Sequence, residues 1–387
     1  MAILTFIRQE ISGYLTNGIL QIRKSWKLYA KVQKQLYELY KKIEPNAEQL
    51  YGSDPDSSLI QIIVDDNEEQ SEAKNGESGT AATMMQLNEL TLADDDVGKS
   101  ISPEAIKRLL GGVSFGYGVF QICLSFLPPN ILKLVIILGF VSDRSVALKA
   151  FNFTSNSKDM RAPFADMVLL WYSTVATPLF GLSESDLIIK DEDTRMILEK
   201  NLTKYPRSSL FHYYKGKHMK SLKNIEGALK CYDEAYENSK HIREIQHISI
   251  YEIGWIHMMS LDYKRALDQF DILSKESRWS KSFNSYICAI LSGSMGNYPS
   301  ANAYLKEALK IVANQTRKSN PVEVFAIKRL EFFKKESLAE KAGSKALCEL
   351  LVIELLFLWI CLPFCQESDL KKMLESMKHH YHLISFL

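Results

Sequence analysis

Glycine and proline are scarce. The 387-residue chain holds 18 Gly and 11 Pro, below the roughly 7% and 5% of average usage. That excludes collagen-like and low-complexity chains, speaks against a turn-rich all-β fold, and favours helix. A charge excess of either sign is also missing: 47 Lys plus Arg face 46 Asp plus Glu, a net +1. Nothing in that balance attracts a polyanion globally, and nucleic acid is not expected as a partner. Cysteines at metal or redox spacing are absent too. Cys123, Cys231, Cys288, Cys348, Cys361 and Cys365 form no CxxC pair. They sit in apolar helical runs, where Cys packs as a small hydrophobe, and reduced thiols suit the cytosol.

Uninterrupted apolar runs of membrane-spanning length are missing as well. Val119–Val141 is split by Pro128-Pro129 into halves of about ten residues, each too short to cross a bilayer. Ala346–Cys365 carries Glu349 and Glu354, and carboxylates are costly in lipid. Both segments are expected to be buried helices, with peripheral or re-entrant membrane contact the alternative. The opening MAILTFIRQE is charged by Arg8 and does not read as a signal peptide.

What remains is helical periodicity. Residues 1–50 form a basic helical segment. Ile22, Trp26, Tyr29, Leu36, Tyr40 and Ile43, with Gln33 in the gap, share one stripe. Most of Arg23, Lys24, Lys27, Lys31, Lys34 and Lys41 lie off it. Residues 51–102 lack aromatics after Tyr51 and carry acidic clusters at Asp65–Glu72 and Asp94–Asp96. Such a stretch buries too little to offset its ordering entropy, so a disordered acidic linker is expected, with a helical turn near Met84–Leu92. Ser102-Pro103 restarts helix as N-cap and first helical residue. Gly111, Gly112, Gly116 and Gly118 follow a helical pattern with no GKS or GKT, which fits close helix packing better than a phosphate loop.

The main signal is an internal repeat over 205–320. From Gly216, offsets of nine, twelve, sixteen and nineteen give Ile225, Ala228, Tyr232 and Ala235. From Gly254 they give Tyr263, Ala266, Phe270 and Leu273; from Ala289, Tyr298, Ala301, Leu305 and Ala308. This small–large alternation at a period near 34 is the mark of tetratricopeptide repeats. Each unit is two antiparallel helices. The small anchor meets the Ala of the second helix, and the residue sixteen on fills the space toward the next unit. Turns are expected at Lys223-Asn224, Leu261-Asp262 and Gly296-Asn297. Three such units stack and leave a concave groove. The fold class is therefore all-α, an α-solenoid, flanked by a helical region at 103–204 and an incomplete array of helices at 321–387.

First-helix residues line that groove: Tyr213, Tyr251 and Tyr286 three before each anchor, then Lys217, Trp255 and Lys220. Aromatic anchors beside lysines suit an extended or helical peptide of a protein partner. Equally, another helix of this chain could fill it. A clamp for C-terminal carboxylates would want Lys and Asn where Tyr213 and Lys217 stand, so that ligand is not expected. No catalytic, metal or cofactor site is expected. His379, His380 and His382 cluster without further ligands, and HExxH, GxSxG, kinase and P-loop motifs are absent.

Several segments resemble one family. Gly112–Arg144 (GVSFGYGVFQICLSFLPPNILKLVIILGFVSDR), Lys204–Gly216 (KYPRSSLFHYYKG), Leu355–Trp359 (LLFLW) and the basic run Gly18–Tyr51 are similar to the tetratricopeptide repeat protein 39 family, itself similar to fungal inclusion body clearance (Iml-type) proteins. Against the family pattern the chain starts near the middle and drifts off at Leu370–Leu387, as an isoform or incomplete gene model would. The resemblance implies a non-enzymatic adaptor, and the reduced cysteines place it in the cytoplasm as an expectation. Its relatives imply, as an alternative, association with lipid droplets, the mitochondrial surface or another organelle, in lipid homeostasis or inclusion clearance.

Overall fold

A computed structural model describes residues 17–46, 102–137, 143–181, 189–314, 321–333 and 344–380, and every regular element among them is helical. The expected acidic linker and its helical turn lie outside the described residues, as does His382. The chain divides into two compact units, Met1–Leu169 and Leu170–Leu387.

The first unit is built on α1 (Asn17–Ile43), α2 (Pro103–Ser125), α3 (Pro129–Ile137) and α4 (Arg144–Ser155). The α1 stripe is buried at Trp26, Gln33 and Tyr40, with Tyr37 added beside it, while Lys31 and Lys34 are exposed. Tyr29, expected on the stripe, is instead 46% exposed and lies over Gly116 of α2. The Ser102 hydroxyl accepts from the Ala105 amide at 3.2 Å, capping α2 with Pro103 at its first turn. The glycines of α2 serve close packing. A Cβ on Gly111 would overlap Ser157, and one on Gly118 would lie 3.1 Å from the Phe151 ring. Thr154 Oγ1 donates to the Gly111 carbonyl across the same contact. Pro128-Pro129 breaks the apolar run where expected, and no described helix is long and apolar enough to cross a membrane.

Next comes α5 (Ala162–Trp171), which passes through one π-helical turn at Tyr172–Ala176 into α6 (Thr177–Phe180). The second unit continues with α7 (Asp191–Lys204) and then the three expected helix pairs. These are α8 (Ser209–Ser221) with α9 (Ile225–Asn238), α10 (Arg243–Met259) with α11 (Tyr263–Glu276), and α12 (Lys281–Ser294) with α13 (Tyr298–Ala313). Each second helix packs on its own first helix and on the first helix of the next pair. The repeat positions Ala228, Tyr232, Ala235, Ala266, Phe270, Leu273, Ala301, Leu305 and Ala308 are all buried.

One detail of the pairing differs from expectation. The ring sixteen residues on lies over the anchor of its own pair: a Cβ on Gly216 would sit 2.7 Å from the Tyr232 ring, and one on Gly254 2.8 Å from Phe270. Tyr232 also joins Ile253 and Ile256 of the following pair. A flat ring fills both gaps only if the helix beneath it has no side chain there.

The turns within pairs share one geometry. Lys223, Leu261 and Gly296 adopt left-handed φ of 59°, 58° and 76°. The next amide bonds back to the first helix each time: Asn224 to Met219, Asp262 to His257 and Asn297 to Ser292, all at 2.9 Å. This is the six-to-one closure of a helix C-terminus. The same Asn or Asp side chain then caps the second helix, accepting from Gly227, Arg265 and Ser300 amides.

After the pairs come α14 (Pro321–Phe333), α15 (Ser344–Leu358) and α16 (Glu367–His379). α14 packs on α12 and α13, whereas α15 packs on α12 and α10, the first helices of two successive pairs. It therefore lies along the concave face.

Gly254→Ala is expected to destabilise the chain by about 1–3 kcal/mol, because the Phe270 ring it would strike is fully buried. Helix propensity alone predicts the opposite sign, a gain of about 1 kcal/mol. Urea unfolding of the two chains decides between them.

Candidate functional site

The six groove residues come from first helices, whose inward face is fixed by the small anchors at their backs. Tyr213, Lys217 and Lys220 lie on α8, Tyr251 and Trp255 on α10, and Tyr286 on α12. The structure brings them into two adjoining clusters, one charged and one aromatic.

The charged cluster centres on Glu252 of α10, which is buried. Lys217 Nζ donates to Glu252 Oε1 at 2.5 Å and Lys220 Nζ to Oε2 at 2.8 Å. The Tyr232 hydroxyl lies 3.5 Å from Oε2. Burial by itself would push the carboxyl up, but the two ammonium groups outweigh it and hold Glu252 down at about 2. Burial beside this carboxylate drives the Tyr213 and Tyr232 phenols far above their ordinary value. Lys217 also lies over the Tyr213 ring at 5.7 Å and Lys220 over Phe364 at 5.9 Å. The lysines expected to meet a partner's acid are thus satisfied by an acid of this chain. Sequence reading missed Glu252, although one signal was present: it is the lone acid in the apolar run Ile250–Met259.

The aromatic cluster closes around Trp359, just past the end of α15. Its ring stacks on Trp255 at 5.4 Å and on Phe283 at 4.9 Å, and meets Phe325 edge-on at 6.1 Å. The indole N–H donates to the Tyr251 hydroxyl at 2.9 Å. Trp255 is only 2% exposed and Tyr286 is fully buried, against Phe325 of α14. Of the two alternatives left open by the sequence, it is a helix of this chain that lies here: α15 and the turn after it occupy this face. Further along that turn, Cys361 and Cys365 are buried, which pushes their thiols up to about 11 and about 12. Gln366 then donates to the Lys223 carbonyl at 2.8 Å, fastening the segment to the first pair's turn.

The occupant itself is informative. α15 buries Leu347, Leu350, Leu351, Leu355 and Leu356 among its residues and ends in an aromatic side chain. The groove takes an apolar helix, the helix-in-groove mode of recognition. Among the described residues no group of three or more His, Cys, Asp and Glu side chains is placed to hold a metal ion.

Stacked helix pairs of this make occur in many proteins, but a whole-chain comparison narrows them. A family model described as Iml2/Tetratricopeptide repeat protein 39 matches residues 1–382. The chain belongs to this family. No solved structure matches it. The match takes in both compact units, so the Iml2/Tetratricopeptide repeat protein 39 pattern covers the first unit as well as the repeats.

Glu252 makes the stability of this family member acid-sensitive. Its folded pKa, about 2, lies below the ordinary 4.5. Its contribution is complete above pH ~4.5 and is lost as pH falls from there toward 2. Glu252→Gln is expected to cost roughly 3–5 kcal/mol at neutral pH, since it strands two ammonium groups, half-buried at Lys217 and buried at Lys220. The substitution should also flatten the acid limb between those pH values. Chemical denaturation of both chains at pH 7, 4.5 and 3 checks the magnitude and the limb.

Proposed function

We propose that the chain is a non-enzymatic protein-interaction scaffold whose concave face receives an apolar helix. The observation that carries this reading is the seating of α15 against the first helices of two repeats, with Trp359 held by Trp255, Phe283 and Tyr251. In the free chain the site is held by the chain's own helix. A partner presenting a helix of the same chemistry, with a terminal aromatic, takes its place. Tyr213, Lys217, Lys220, Tyr251, Trp255 and Tyr286 are then the walls that such a partner touches.

The arrangement favours exchange over permanent closure at one point. Phe357 and Leu358 at the end of α15 are 66% and 45% exposed, so at this end of the helix Trp359 is the anchor while its neighbours stay in water. Removing that anchor opens the face without touching its walls.

Proximity labelling in cells tests this. The Trp359→Ala chain is expected to label partners several-fold more strongly than the wild type. Adding Trp255→Ala to it is expected to abolish the gain. Equal labelling by all three chains, with helicity intact by circular dichroism, rejects the groove as the partner site.

A further inference from the structure

The turns between helix pairs carry a recurrence that the groove does not explain. Tyr205, Ile242 and Trp279 are spaced by 37 residues each time. All three stand in the turn that enters the first helix of a pair. They are 36%, 50% and 55% exposed. Single exposed apolar side chains are ordinary; one at every inter-pair turn of the same edge is a row. Each is preceded by a base: Lys204, His241 and Arg278. Lys204 Nζ lies 5.2 Å from the Tyr205 ring centroid.

The second and third of these turns lie beside one another. Arg243, after Ile242, pairs with Glu276, before Trp279, and Arg278 Nη1 reaches Glu244 Oε1 at 3.3 Å. Across residues 203–209, 237–244 and 275–281 there are seven Lys and Arg against three Glu. Each of those glutamates already holds a base: Glu237 pairs with Lys240, Glu244 with Arg278 and Glu276 with Arg243. Of the four bases left over, Lys275 pairs with Asp271, so the positive surplus comes from Lys204, Arg207 and Lys281.

We infer that this edge rests on an anionic lipid bilayer. The shape chooses the occupant. The apolar side chains stand on separate turns 37 residues apart and are flanked by bases, an amphipathic row without a continuous apolar patch of the kind a folded partner needs. A bilayer needs no pocket. Tyr and Trp rings settle at the headgroup level, and bases beside them are drawn to an anionic leaflet. This contact does not depend on the groove reading, and the two can stand or fall separately.

Co-sedimentation of the full chain with vesicles of equimolar phosphatidylcholine and phosphatidylserine tests it. The chain is expected to bind these vesicles, to bind phosphatidylcholine alone far less, and to come off as salt is raised. Ile242→Ser with Trp279→Ala is expected to weaken binding about tenfold or more, because two inserted side chains are lost. Both are exposed, so the variant keeps its fold, which its melting curve verifies. Trp279→Phe separates insertion from mere proximity. The wild type's tryptophan emission should be quenched by brominated acyl chains, and this variant should bind while losing that quenching. Absence of sedimentation, wild-type binding by the double variant, or quenching unchanged in Trp279→Phe each overturns the inference. So does preferential binding of a soluble polyglutamate peptide that vesicles fail to displace, which would assign the edge to an acidic protein.

Discussion

The architecture of the second unit rests on two places where a helix has no side chain. At Gly216 and Gly254 the ring of Tyr232 or Phe270 lies directly on the backbone of the facing helix. That approach fixes how closely the two helices of a pair lie, and the same ring reaches into the next pair. Once the spacing is fixed, the inward faces of α8, α10 and α12 align, and the concave surface follows from that alignment. Groove, charged cluster and occupant are consequences of a missing Cβ.

The Glu252 cluster does a different kind of work. Taking one carboxylate and two ammonium groups out of water is costly, and such a group is weak as a source of net stability. Its effect is on register. Lys217 and Lys220 belong to the first pair and Glu252 to the second, so any slip between the pairs strands a charge in a buried site. The aromatic cluster does the same for the segment after α15, whose indole donates to the Tyr251 hydroxyl. Apolar contacts allow many near-equivalent packings, whereas these polar contacts admit one.

Much of this was legible in the sequence because it is periodic. The pair positions, the three turns and the cap at Ser102 each depend on residues within about twenty positions of one another, and local chemistry decides them. The stripe on α1 was legible for the same reason, apart from Tyr37, whose burial depends on what packs beside it, and Tyr29, which the glycine at 116 draws to the edge. The helix on which each of the six groove residues stands was legible for the same reason. What covers them was not readable. Trp359 lies 108 positions from Tyr251, and no period links them. Whether α15 continues the stack or turns into the concave face is settled by competition between two apolar surfaces, which composition leaves undetermined. Glu252 was hidden in the same way, since a lone acid in an apolar run announces a buried partner without saying which.

The turns between paired helices have a broader implication. Lys223, Leu261 and Gly296 occupy one left-handed position, and Ile360 after α15 joins them at φ 56°, with the Cys361 amide returning to Leu356 at 2.8 Å. Three of the four are residues for which this conformation costs about 1–2 kcal/mol. The main chain dictates the bend and overrides the preference of whatever residue stands there. A hairpin specified in this way can lose its sequence signature and still keep its shape. The segment α15–α16 bends like a repeat without reading as one, so kinship among these hairpins is better judged from backbone angles than from letters.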